Sequence, residues 1–158
     1  MKFLADLHPM IVHFPVAFFI LYSILEILAV IFKNKFIGKT AMLILAAGVL
    51  TAVFAVLTGN QAEEIAETLI KTGNTSLSET LDEHESFATI TLWFFTGVLI
   101  LKIYVTIKKI SETGIKYLFI FLAAAGIYLT YETARHGGDL VYEYGVGTKL
   151  TEEQNRIE

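Results

Sequence analysis

The chain contains no cysteine. Disulfides, iron–sulfur clusters, thiolate metal ligands and covalently attached c-type haem are thereby excluded. Charge is scarce: only 18% of the 158 residues are Asp, Glu, Lys or Arg, against 54% hydrophobic. A soluble domain of this size is rarely so apolar. No basic cluster occurs and the formal net charge is −4, which argues against a nucleic-acid partner. There is no Gly-rich phosphate loop, nucleophile elbow or HExxH metal motif, so nothing marks a hydrolase or a transferase. Proline is limited to Pro9 and Pro15, both near the start. No internal repeat and no low-complexity tract stands out.

Apolar sequence is abundant, and it falls into four runs. A helix needs about 20 residues to cross a bilayer core. The runs cover about residues 10–32, 37–57, 87–107 and 115–131. Backbone groups in lipid must be satisfied internally, so each run is expected to be a helix. The expected fold is an all-α integral membrane protein. It is one domain over 1–158, a four-transmembrane-helix bundle with an extra amphipathic surface helix on the outer side.

Basic residues set the expected orientation. Lys33, Lys35 and Lys39 flank the first short link, and Lys108, Lys109 and Lys116 flank the third. Short Lys-rich links stay on the cytoplasmic side. Both termini, the acidic segment 58–86 and the tail 137–158 then face outward. The start is expected to be a retained span, because its apolar run is longer than a signal h-region and no small-residue cleavage site follows. Residues 60–71 place Ala62, Ile65, Ala66, Leu69 and Ile70 at helical spacing against glutamates, the mark of a helix along the membrane surface. Gly73-Asn74 is expected to end it. Ser78 reads as the N-cap of the helix that continues into span three. Beyond Gly137-Gly138, the stretch Leu140 to Val146 is expected to fold back over the outer surface.

All four histidines belong to that outer face: His8, His13, His84 and His136. Imidazole suits haem iron, copper, zinc and non-haem iron. His8 and His13 are five residues apart, so on an ideal helix their rings diverge by about 140° and do not clamp one ion. His13, in the more apolar setting, is favoured as a ligand. Two haems would each take one ligand from the His8/His13 pair and one from His84 or His136. Asp82, Glu83 and Glu85 flank His84 and suit a carboxylate that orients an imidazole. Phe14, Phe18, Phe19, Trp93, Phe94 and Phe95 supply walls, and Gly59, Gly97 and Gly126 supply room. Arg135 and Lys71 suit haem propionates. A hydrated metal would instead draw on Glu83, Glu85, Glu132 and Asp139. Deeper in, Glu26 and Lys102 lie at similar depth toward the cytoplasmic side. Ionisable groups inside spans are expensive and are usually paired or functional. The alternatives weighed are an ion pair, a snorkelling Lys102, and a proton-handling Glu26.

The string Leu7-His8-Pro9-Met10-Ile11-Val12-His13-Phe14-Pro15-Val16-Ala17 resembles the opening motif of the bacterial membrane domain DUF2231. The likeness continues at Thr58-Gly59, at His84-Glu85, at Thr91-Leu92-Trp93 and at Gly137-Gly138 with Leu140-Val141-Tyr142 and Gly145. It implies architecture more than activity. Fusions of related domains to cytochrome c or Rieske-type domains imply a redox setting in a bacterial inner membrane. The expected function is a b-type cytochrome holding one or two haems through the outer histidines. It would pass electrons between a quinone pool and an external partner such as a periplasmic cytochrome or Rieske-type protein, with quinol oxidation as the possible activity. The alternatives are a His/Glu site for a copper, zinc or iron ion, and a structural subunit with inert histidines.

Overall fold

The computed structural model describes residues 2–70, 75–110 and 112–146, with side chains at 5–63, 75–110 and 112–146. Among the described residues five helices follow one another: α1 (Lys2–Ile11), α2 (His13–Ile31), α3 (Lys35–Ile70), α4 (Thr75–Ile107) and α5 (Thr113–Tyr142). Four helical segments are long and apolar enough to cross a membrane: 5–31, 35–63, 75–107 and 113–142. Large apolar side chains face outward, among them Leu43, Trp93 and Phe121. Lipid accepts such a surface and water does not. The chain is a multi-pass helical membrane protein.

The helix boundaries differ from the sequence expectation in instructive ways. Between α1 and α2 the first apolar run loses a backbone bond at Val12 without changing course: Val12 keeps right-handed helical angles, donates to the His8 carbonyl and accepts from Val16. Pro15 explains the lost bond: it has no N–H to offer the Ile11 carbonyl. Pro9, expected in a first turn, instead lies inside α1, and buried Pro15 holds the first turn of α2. The separate amphipathic helix over 60–71 is not formed. Its residues to Ile70 are the last turns of α3. The side chains at 64–70, and residues 71–74 with the expected stop at Gly73-Asn74, lie outside the described set. Ser78 is not an N-cap, because α4 already begins at Thr75. Span four also runs on, through Gly137-Gly138 to Tyr142, so the tail over 140–142 is helix with Leu140 buried. Apolar length marks only the part of a helix that lipid requires, and the polar ends can continue in water.

The opposite ends of the bundle are built differently. α3 and α4 have 36 and 33 residues, about 50 Å of helix each at 1.5 Å per residue. They outrun a hydrocarbon core of about 30 Å, and they overhang on the histidine side. The two lysine-rich links are short. Lys33 and Lys109 adopt left-handed backbone, with φ of 52° and 54°. The amide of Asn34 returns to the Ala29 carbonyl, and that of Ile110 to the Val105 carbonyl. Each link is thus a six-to-one helix stop. Asn34 Oδ1 then accepts from the amides of Phe36 and Ile37 and starts α3.

The structure also reveals a repeat that the sequence conceals. α2 packs on α3 as α4 packs on α5, and α2 touches α5 as α4 touches α3. Equivalent first-helix positions are 76 residues apart: His8 and His84, Phe19 and Phe95, Glu26 and Lys102, Lys33 and Lys109. Equivalent second-helix positions are 78 apart: Gly48 and Gly126, Ala55 and Thr133, Gly59 and Gly137. The two helix pairs are therefore related by a pseudo-twofold axis along the membrane normal.

Aromatic rings fill the centre. Phe19 and Phe95 are both buried and stack at 3.8 Å, with Tyr22 edge-on to Phe95. Each ring lies in a gap left by a glycine. A Cβ at Gly48 would come within 2.8 Å of Phe19, and one at Gly126 within 2.6 Å of Phe95. Gly126→Ala is expected to cost about 1–3 kcal/mol, the range for overpacking, and to lower the melting temperature in detergent. Gly97→Ala is the control: a Cβ there meets nothing within 4 Å. It should be neutral or slightly stabilising, since alanine favours helix over glycine. Equal loss in both variants would show that the Phe95 contact is not what matters.

Candidate functional site

Three of the four histidines converge at the overhanging end. His8 comes from α1, His84 from α4 and His136 from α5. His8 and His84 lie close enough to feel each other's charge, as do His84 and His136. His13 stands apart, exposed at the start of α2. Val12, between the two histidines, keeps right-handed helical angles, so the divergence of about 140° expected on an ideal helix still applies to His8 and His13.

Each converging ring is anchored through Nδ1. His84 Nδ1 lies 3.1 Å from the Thr133 carbonyl, and His136 Nδ1 lies 2.8 Å from the Glu132 carbonyl. A carbonyl only accepts, so both Nδ1 atoms carry hydrogen. His8 Nδ1 lies 3.1 Å from Thr58 Oγ1. The Thr58 hydroxyl is 3.0 Å from the carbonyls of Phe54 and Ala55 and donates there, so it accepts from His8. The Ala55 carbonyl lies close to the His8 ring. Ala55 and Thr133 are repeat equivalents, so each ring sits beside the same second-helix turn, although His8 bonds a hydroxyl there and His84 a carbonyl. A neutral imidazole with hydrogen fixed on Nδ1 presents its lone pair on Nε2, the usual state of a histidine ligand.

Glycine makes room for these rings too. A Cβ at Gly59 would lie 3.1 Å from His8 Cε1, and one at Gly137 would lie 2.9 Å from His84 Cε1. Gly59 is eleven residues beyond Gly48, and Gly137 eleven beyond Gly126. Each second helix thus offers one glycine to a phenylalanine and, three turns on, one to a histidine. Both glycines are visible in the sequence; their role as seats for imidazole is not.

His136 has a different setting. It is 4% exposed, its ring stacks on Phe87 at 5.0 Å, and its Nε2 is already engaged. Glu83 Oε2 and Arg135 Nη2 each lie 3.1 Å from it. A neutral His136 accepts from Arg135; a protonated one donates to Glu83. Arg135 also pairs with Glu132 at 3.0 Å, and its side chain is half exposed. Lys71 lies outside the described residues. Below His84, the hydroxyls of Thr91 and Thr133 meet at 2.9 Å and tie α4 to α5.

The expected pocket walls divide. Phe19 and Phe95 are buried on the axis, whereas Phe14 and Trp93 face outward and Gly97 borders open space. Among the described residues, no group of three or more His, Asp or Glu side chains is gathered to hold a metal ion. The arrangement instead offers two matched nitrogen donors from opposite halves, with a third histidine in a salt-linked network beside them. Thr58 and Thr133 hold the two rings and were missed by sequence reasoning, because their contacts span about 50 residues.

The comparisons agree with this architecture. A family model described as a predicted membrane protein, DUF2231, matches residues 5–150. No curated protein and no solved structure matches.

Proposed function

Because the chain belongs to the DUF2231 family of predicted membrane proteins, we propose that its pseudo-symmetric outer end is the ligand set of a membrane b-type cytochrome, with His8 and His84 as the paired haem ligands. The observation that carries this reading is the matched anchoring of the two rings. Each is held through Nδ1, each is seated on a glycine, and each keeps Nε2 for an iron. A bis-imidazole haem takes one ligand from each side of its plane, and two equivalent helix pairs supply that. Two donors are enough for it, whereas a bare ion is the weaker reading because no three-donor group is gathered among the described residues.

The haem would supply reversible one-electron transfer. This chain's residues bind and orient around it. Thr58 and the Thr133 carbonyl would fix the ring planes and raise ligand basicity. Arg135, which contacts His136 beside the site, suits a propionate. His136, between Glu83 and Arg135, holds or releases a proton at Nε2 while its Nδ1–H stays on Glu132. That proton acceptor at the outer face suits exchange with a quinol on one side and an external redox protein on the other. The lysine-rich links support an orientation with the histidines and both termini on the outer side of a bacterial inner membrane.

The test is an oxidised and dithionite-reduced absorption spectrum of detergent-purified, haem-supplied protein, with elemental analysis on the same sample. A Soret band and a sharp reduced α-band at one haem per chain support the reading. A colourless sample sinks it; stoichiometric metal without porphyrin would then establish the bare-ion alternative, and neither would leave a structural subunit. Within the cytochrome reading, Thr58→Val removes the acceptor for His8 Nδ1–H. It should weaken haem binding about 10–100-fold, as losses of outer partners do. Haem titration reads this directly, and unchanged affinity would remove Thr58 from the site.

A further inference from the structure

The same axis carries a second polar group in the opposite half of the bundle. Lys102 Nζ and the Glu26 carboxylate form a buried ion pair across the diagonal between α4 and α2. The Phe119 ring of α5 covers the ammonium at 4.9 Å. One turn up on α2, Tyr22 and Ser23 are fully buried. Their hydroxyls have no hydrogen-bond partner among the described residues. Buried polar atoms are almost always satisfied by protein or ordered water.

The repeat makes these hydroxyls conspicuous. The equivalents of Tyr22 and Ser23, 76 residues on, are Val98 and Leu99. The scaffold therefore does not require hydroxyls at this level. They occur in one half only, on the turn next to Glu26. We infer that Glu26, Lys102, Tyr22 and Ser23 form a hydrated proton-binding site, with at least one water held between the two hydroxyls and the carboxylate. Uptake of one proton converts the Glu26 carboxylate to a carboxyl while Lys102 keeps its ammonium. Release restores the ion pair.

The surroundings define the access. The stacked Phe19 and Phe95 close the axis toward the histidine end. Proton entry is therefore assigned to the lysine-rich side; the two charged side chains keep 5–10% exposure. No other titratable group is buried there among the described residues. α2 and its link add exposed Lys33, α3 adds exposed Lys35 and Lys39, α4 adds exposed Tyr104, Lys108 and Lys109, and α5 adds exposed Lys116 and Tyr117. α3 and α5 present Ala41, Leu45 and Phe119 to the core at this level. The site is independent of whether the outer end holds haem.

Infrared difference spectroscopy against pH tests this on the full chain in phospholipid vesicles. The expected result is a protonated-carboxyl C=O band that grows as pH falls, shifts in D2O and is missing from helicity-matched Glu26→Gln. Tyr22→Phe with Ser23→Ala leaves the ion pair intact. It should lose a bound-water O–H band and move the carboxyl midpoint by at least threefold in proton concentration. Absence of any Glu26-dependent carboxyl band over the pH range where helicity is constant would overturn the proton site. An unchanged water band and midpoint in the Tyr22/Ser23 variant would overturn its hydration.

Discussion

Haem-loaded protein carrying His84→Ala is expected to lose its paired-imidazole spectrum, and His8→Ala should behave the same way. The two residues are repeat equivalents, each held through Nδ1 and each seated on a glycine. Removing either takes away one of only two strong donors. The loss should therefore exceed the 10–100-fold typical of an outer partner, and haem should not survive purification. The alanine leaves an imidazole-shaped gap against Gly59 or Gly137, so added imidazole should restore part of the spectrum. His13→Ala, exposed on α2, should keep the full spectrum. His136→Ala should keep the ligands but alter the pH dependence of the midpoint potential, because it removes the link between Glu83 and Arg135. Normal spectra in both His8→Ala and His84→Ala would refute the assignment.

The second large effect is on stability. Lys102→Met leaves the Glu26 carboxylate buried without its partner. Breaking a buried pair from one side costs about 3–5 kcal/mol while the remaining charge stays ionised, and less at a pH where Glu26 takes up the proton inferred above. Thermal unfolding in detergent should show a drop well beyond that of any lipid-facing substitution. The double variant Glu26→Leu with Lys102→Met removes both charges and should recover most of the loss, as apolar replacements of buried pairs often do. Similar melting of the single variant and wild type would mean that Glu26 reaches water by another route.

Much of the architecture was legible from the chain because lipid imposes a coarse rule. Only long apolar runs can cross, and there are four. Pro15 likewise announced the disturbance that appears at Val12. Glu26 and Lys102 showed matching depth, but not that their side chains meet across the bundle diagonal. The helix ends were less legible. The Glu-rich ends of α3 and α4 and the double glycine in α5 read as surface segments, whereas helix continues through them. At Gly137 the reason is tertiary: the His84 ring fills the space a side chain would take. The repeat escaped notice because its two halves share contacts more than letters. His, Phe and Gly recur in register, while Glu26 faces Lys102 and Ala55 answers to Thr133. What made His8 and His84 a pair was their common anchoring, and no local pattern records that.

The two left-handed lysines join backbone geometry to sidedness in a single residue. Glycine would suit the positive φ at 33 and 109 better, since an L-residue there carries a strain of about 1–2 kcal/mol. Lysine persists at both turns of the repeat. In the orientation proposed above, each is also a topogenic charge, read by the insertion machinery before the bundle exists. Lys33→Gly or Lys109→Gly would thus relax the folded turn while weakening the instruction that decides which way the hairpin enters the bilayer. Biogenesis and equilibrium stability pull in opposite directions at these two positions, so a screen for thermostability alone would select variants at risk of inverted insertion.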